Sequence, residues 1–531
     1  MPFPWTLQRY IFREMGKTFL LAAVALTAVL GLGGGVLNMI KLGEATPLQL
    51  ARLMALLLPL AAALTLPIAA LFSATATYGR LSADNEFVAC RSSGINLHVL
   101  FLPTIVLSLL SAGLSFGLTN YVIPGMVGNL EELIKADIGA IAQQRLARAR
   151  GMALGQRYRI TADQSLVDPT NPNRINLRHI AFVEVDGDEW VRFGTARELG
   201  LDFDRRERRI RVSGRMKDLS YYDRKQGQFV EERSQTIPTN EFESPVTQKI
   251  KFLNLNKLLV YLSEPAEWYE VREEMERLRK GVGRWMIYDT LWEQWLSERR
   301  LTLSGQRRQY DIRSYGEGGR LPREGGIELT DVTIQEVKSG RRRSITAQRA
   351  TIEVTRGDTI AESGIRIELR DARFSDGADV IPRNKETLGP VTIAPELITR
   401  IENLTEHELL HPTATPPGDP LAEWRERAIG AQGETVRRIV GAINERLAFS
   451  VSVFALVILG AALGIVFRGS HVMAAFGISF VPLLFVLIMI VMGKQMAHNA
   501  ATYGSGLLLM WSGIVVVGGL DVWTLTRVLR R

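Results

Sequence analysis

The stretch GRLSADNEFVACRSSGINLHVL, Gly79 to Leu100, separates two long apolar runs, and the reading of the chain turns on it. Hydropathy collapses here and then resumes, which marks a short polar connection between two segments of membrane grade. A helix crossing roughly 30 Å of hydrocarbon needs about 20 apolar residues. Working outward, the flanking segments at about 54–78 and 97–123 meet that length, and another at about 18–40 precedes them. Three more follow at about 448–467, 472–493 and 506–528. The first segment starts too far in and runs too long for a cleavable signal peptide. The expected fold class is an integral membrane α-helical protein with six transmembrane helices. A large periplasmic, β-rich, jellyroll-like domain is inserted between helices 3 and 4. The expected divisions are 1–125, 126–446 and 447–531, with the polar loop at 79–96.

The chain has 531 residues, 46% of them hydrophobic, and a formal net charge of +8. These averages hide greasy ends and a charged middle. A basic balance can signal nucleic acid in a soluble protein. Here the basic residues flank the spans, and no basic stripe with interleaved aromatics occurs, so nucleic acid is not an expected partner. Cys90 is the only cysteine, which excludes an intrachain disulfide and a thiolate metal cluster. It reads as a small apolar helix residue.

Basic residues in short loops set orientation. One set of flanks carries Arg9, Arg13, Lys17, Arg80, Arg91, Arg468, Arg527, Arg530 and Arg531, and the other carries Lys41, Arg52 and Lys494. That bias places both termini and the Gly79–Leu100 loop in the cytoplasm and the large insertion outside. Ahead of the first span, Leu7, Ile11 and Met15 recur at helical spacing beside Trp5 and Phe12, with Arg9 and Arg13 on another face. This segment either lies along the inner interface or extends the first span.

Within the insertion, stretches such as INLRHIAFVEVD and GIELTDVTIQEVKSG alternate with period two and are broken by turn residues, which is strand chemistry. Ile175–Val185 aligns with Ile327–Val337, and Thr195-Ala196 aligns with Thr346-Ala347 one gap later. Internal duplication and chance alternation both account for this. Between these stretches, about 254–300 reads as a helical block whose Trp268, Trp285, Trp292 and Trp295 fall near helical spacing, a pattern of helix packing. A Pro-rich linker, HPTATPPGDP, and a helix at about 421–446 lead to the fourth span. Small residues at Gly31–Val36 permit close helix approach.

Few catalytic signatures occur in the sequence. It has no GxxxxGK[ST] loop; the letters of HExxH occur once, at His407–His411, and those of GxSxG once, at Gly113–Gly117 inside an apolar run, and no metal site and no cofactor is expected. Asp84 and Glu86 are two apart and point in different directions on a helix, with no nucleophile beside them. Asp521 is the one carboxylate well inside a span, expected to pair with Arg527 or snorkel to the interface. With no ATP site and no chain of intramembrane acids, the protein is not expected to be an enzyme. Energy for any transport has to come from a partner.

Several stretches resemble a known family. QRYIFREMGKTFL, NEFVACRSSGI and NERLAFSVSVFALVILGAALGIVFR, the last with Arg446, Gly460 and Gly464, are similar to the opening, the cytoplasmic loop and the fourth-span entry of the LptF/LptG (YjgP/YjgQ) permeases. These are membrane subunits of the ABC machine that extracts lipopolysaccharide. The resemblance is good over about 5–125 and 395–531, and the insertion is about twice the expected length. It implies that the loop is a coupling helix seated in an LptB-like cytoplasmic ATPase dimer. Glu86 would bond a basic groove residue, Phe87 and Val88 would supply apolar contact, and Asp84, Arg91 and Gly94 would complete the site. Lys41 and Arg52 are placed to meet lipid phosphates. Further implied partners are a second LptF/LptG-type chain, LptC/LptA-like periplasmic jellyroll proteins, and lipopolysaccharide or a related multi-acyl lipid. The first and fifth spans would line the lipid cavity. Two rivals stand beside this: an ABC-coupled subunit that transmits motion without transport, and a membrane-anchored periplasmic binding module. Export requires an apolar groove in the β domain, whereas motion alone is compatible with a filled one.

Overall fold

A computed structural model describes residues 5–31, 47–127, 152–154, 158–168, 171–186, 189–205, 209–224, 226–243, 249–304, 308–321, 326–338, 341–355, 357, 360–376, 379–412, 421–467 and 472–530. Among the described residues, six helices are long and apolar enough to cross a membrane. They lie within α1 (Trp5–Gly31), α2 (Pro47–Ala83), α4 (His98–Val127), α9 (Ala422–Val466), α10 (Val472–His498) and α11 (Tyr503–Arg530). A short helix, α3 (Glu86–Ser92), lies between α2 and α4. The N-terminal segment is continuous with the first span, so of its two readings the helical extension is the one observed. The linker helix and fourth span are likewise one helix. The GLGGGV stretch beyond Gly31, most of the Pro-rich linker and the turn between the fourth and fifth spans lie outside the described residues.

The chain divides into two compact units, Met1–Ser263 with Val436–Arg531, and Glu264–Thr435. The first holds the six membrane segments, one antiparallel sheet of six strands in the order β1-β2-β3-β4-β5-β6, and the short helix α5 (Leu255–Ser263). Its strands run from β1 (Met152–Leu154) through β2 (Tyr158–Asp168), β3 (Asn171–Asp186), β4 (Glu189–Arg205) and β5 (Arg209–Asp223) to β6 (Gln228–Glu243). The second unit holds a seven-stranded sheet in the order β13-β12-β11-β10-β8-β7, with β9 paired to β10. These strands are β7 (Arg300–Ser304), β8 (Arg308–Ser314), β9 (Gly318–Leu321), β10 (Gly326–Lys338), β11 (Arg341–Val354), β12 (Gly364–Asp376) and β13 (Asp379–Thr392). It also holds helices α6 (Tyr269–Glu298), α7 (Pro395–Glu402) and α8 (Glu406–Leu410) and the start of α9 as far as Thr435.

The two sheets repeat one design. In the first, Ile180 pairs Ala196 and Ala181 pairs Thr195. In the second, Val332 pairs Ala347 and Thr333 pairs Thr346. These are the positions the sequence alignment matches, now in the same register. Each ladder also skips a pair midway, at His179 opposite Arg197 and at Asp331 opposite Gln348. The skip continues across the next strand at Asp218 and at Asp371. All four of these residues are left-handed, with φ of 50° and 51° at His179 and Asp218 and 49° and 53° at Asp331 and Asp371. Asp and His tolerate that region better than most side chains. The register is the same on both sides of each skip, so no residue is inserted, and the left-handed residue itself turns the strand and shifts the alternation of its faces. Leu177 and Ile180 are therefore both buried across the bend, as are Leu329 and Val332. Residues from both sides of each bend share one apolar cluster, so each sheet folds over onto itself.

Candidate functional site

The loop on which the sequence reading turned is a bracketed, anchored helix. Asn85, with φ of 60°, turns the chain out of α2, and Gly94, with φ of 77°, turns it away after α3. Asn96 then accepts the His98 amide at 3.1 Å and starts the third span. The loop is tied down by a stack of rings. Phe87 lies 5.7 Å from Tyr78, and Tyr78 lies 5.5 Å from Phe101. The Tyr78 hydroxyl donates to the Leu100 carbonyl at 2.6 Å, and the Gln8 amide donates to the Val99 carbonyl. Arg80 reaches back to Glu14 on the first span at 3.0 Å.

Phe87 is 8% exposed and packs on Tyr78 of its own chain, so it anchors the loop, whereas Val88 is 49% exposed. Glu86 is half-buried, while Asp84 and Gly94 are exposed. The side chain of Arg91 lies outside the described residues. Burial pushes the Cys90 thiol above its ordinary range, and the negative charge of Glu86 adds to the shift. Because the thiolate is the reactive form, maleimide labelling of this single cysteine at pH 8 is expected to be slow. Glu86→Gln removes the charge and should accelerate labelling; an unchanged rate would show that the carboxylate does not act on the thiol.

The helix that carries the loop is pressed against the fourth span. A Cβ on Gly464 would lie 2.7 Å from the Thr75 carbonyl oxygen and 3.0 Å from the Gly79 nitrogen, and one on Gly460 would lie 2.6 Å from a Leu71 methyl. Small residues of this kind let helix backbones touch. The Ser82 hydroxyl also donates to the Ile465 carbonyl at 3.3 Å. The helix that carries the loop is therefore in direct contact with α9.

Toward the other end of α9, Arg446 is 7% exposed. It donates to the Asn120 side-chain oxygen at 3.0 Å and to the Lys251 carbonyl at 3.1 Å. Asn120 sits in a π-helical segment, Leu118–Val122, of the kind often found at functional positions. Lys251 follows shortly after the first sheet. One guanidinium thus joins the third span, the fourth span and the segment leaving the sheet. The sequence marked Arg446 only as part of a motif, because its partners are a distant asparagine and a backbone carbonyl. Lys494, counted among the outer cations, is paired with Glu445 at 2.6 Å. Lys41 lies outside the described residues, as does the side chain of Arg52. Asp521 does not pair with Arg527, which lies over the Trp523 ring instead. It does not snorkel either, being 7% exposed with its Oδ1 unpartnered among the described residues. Exposed apolar faces remain on the first span, at Leu20, Leu21, Val24 and Val29, and on the fifth, at Val481, Leu484, Ile488 and Val491.

The interiors of the two β modules differ. The first is closed by side chains of its own strands, among them Leu177, Leu199, Leu201, Met216 and Tyr221. The second contains helix residues as well: Ile287, Leu291 and Trp295 of α6 belong to the same cluster as Ile327, Leu329, Ile352 and Ile367. Trp292 packs on that cluster and stacks on Trp295 with centroids 4.9 Å apart.

Six spans, an anchored polar loop between the second and third, and an antiparallel β insertion between the third and fourth define a multi-pass membrane permease. The model of the family described as lipopolysaccharide export system permease LptF/LptG matches residues 9–251 and 290–527. The chain belongs to this family, whose members are inner-membrane proteins of lipopolysaccharide transport. A search of curated proteins finds no match. The helical block from 252 to 289 falls between the two matched stretches.

Proposed function

We propose that this chain is the permease subunit of an ABC transporter that extracts lipopolysaccharide, or a similar multi-acyl glycolipid, from the inner membrane and passes it toward the outer membrane. Both termini are cytoplasmic and the β insertion is periplasmic, as the bias of basic residues in the short loops supports. An LptB-like ATPase dimer grips α3, and a second LptF/LptG-type chain faces this one. The exposed faces of the first and fifth spans then line a cavity between the chains. LptC/LptA-like jellyroll proteins extend the path by pairing at a free strand edge. Lys41 and Arg52, at the outer ends of the first two spans, meet lipid phosphates.

The observation that carries this reading is the anchored loop. A short helix held by three stacked rings, with Glu86 and Val88 outward, is suited to receive force rather than to flex under it. Glu86 would accept a charge-assisted hydrogen bond from a basic groove residue, while Asp84, Arg91 and Gly94 border the contact. Extraction of the full chain in mild detergent should bring down a cytoplasmic ATPase, and Glu86→Ala should sharply reduce its recovery. Protein that never brings one down, with Glu86→Ala behaving as the parent, would end this reading.

A second reading is favoured by one observation: both β interiors are packed with side chains. The chain would then transmit ATP-driven motion to its β domain without carrying lipid. ATP-dependent release of lipopolysaccharide from reconstituted vesicles separates the two, because only the export reading requires it.

A further inference from the structure

The two β modules share strand order, pairing register and bend position, yet a helix has entered one interior and not the other. We propose that α6 is a resident plug, so that the second module is closed to lipid and the first alone takes the acyl chains. This rests on the export reading and assigns the lipid to one of two otherwise equivalent places.

The argument starts from what α6 replaces. Its apolar ridge, Ile287, Leu291 and Trp295, recurs every four residues and so lies on one face of the helix. That ridge is an apolar rod about 12 Å long at 1.5 Å per residue, lying among the buried strand residues on which an alkyl chain would depend. The fit is close. A Cβ on Gly318 would lie 2.7 Å from the Trp295 ring, and one on Gly283 would lie 2.4 Å from Ile360 and 2.9 Å from Ile401. Polar contacts pin the helix at its margins: the Val354 amide donates to the Tyr288 hydroxyl at 2.8 Å, and Arg320 pairs with Asp289 at 2.6 Å. Admitting an acyl chain to this module would mean displacing a buried tryptophan and two large aliphatic side chains, leaving the helix face in water. The same lipid entering the first module displaces only the module's own strand residues. These part along a line where the ladder is already interrupted, at His179, Arg197 and Asp218.

Photocrosslinking in living cells that make lipopolysaccharide tests this on the full chain. p-Benzoylphenylalanine is placed at Val230 or Ala162, which are partly buried against the first interior, and at Trp292 or Leu397, which are partly buried against the second. Two positions per module guard against one that fails to accumulate at the parental level. Illumination is expected to give a lipopolysaccharide adduct from the first module at least tenfold stronger than from the second. Equal adducts from both modules, or adducts from the second alone, would overturn the plug while leaving the export reading standing. Adducts from neither, in cells whose envelope assembly depends on the tagged chain, would overturn both.

Discussion

Gly464→Val is expected to separate the second and fourth spans and to cause a large loss of stable protein. The new side chain would begin 2.7 Å from the Thr75 carbonyl oxygen and 3.0 Å from the Gly79 nitrogen. Both are backbone atoms of a helix, so no rotamer change relieves the clash. Overpacking of this kind costs about 1–3 kcal/mol where neighbours can shift, and more where they cannot. The cost also reaches the cytoplasmic loop, because α2 carries that loop and is bonded to α9 through Ser82. Thermal stability of the detergent-extracted protein, followed by size exclusion after heating, should fall by many degrees. Gly518→Val is the control, since a Cβ there meets nothing within 4 Å. Equal behaviour of the two variants would mean that the α2–α9 contact does not hold the membrane region together.

The second large effect is expected from Trp295→Ala. This side chain is buried, stacks on Trp292, and lies beneath Arg299, whose guanidinium carbon is 4.2 Å from the ring centroid. Truncating a buried tryptophan costs about 3–5 kcal/mol through lost transfer energy and the cavity left behind. The penalty is expected to fall on the second unit, because Ile287, Leu291, Ile327 and Leu329 share its cluster. Limited proteolysis of the full chain should then cut within about 264–435 first, with the six-span unit surviving longer. Leu296→Ala, one residue away at a position 53% exposed, should leave the pattern unchanged. If both variants resist protease like the parent, α6 is not part of the core of that module.

The membrane layout was legible because the bilayer imposes a length that apolar runs must satisfy, and six runs did. Family membership was legible in short motifs such as NEFVACRSSGI, where a charged helix has to sit between two spans. The repeat was visible as an alignment of Ile175–Val185 with Ile327–Val337, but sequence could not separate duplication from ordinary alternation. The matching skips at His179 and Asp331 add a shared backbone feature to that alignment, and they depend on backbone torsion, which no residue type dictates. The packing of Phe87 within its own chain was hidden for a similar reason. A loop aromatic looks like a contact for a partner until the rings of Tyr78 and Phe101 appear beneath it. The capture of Ile287, Leu291 and Trp295 by the second sheet was likewise hidden, since helical spacing shows that a face is apolar and not what covers it.

The bonds made by Arg446 carry a consequence for how this chain tolerates drift. Two of the three linked positions contribute side chains, Asn120 and Arg446, whereas the third contributes only a peptide oxygen. Natural variants should therefore change 120 and 446 together, so that a donor still meets an acceptor, while almost any residue is tolerated at 251 as long as the loop keeps its path. At 251 the bond to the guanidinium needs only the peptide oxygen, whichever side chain projects from that position.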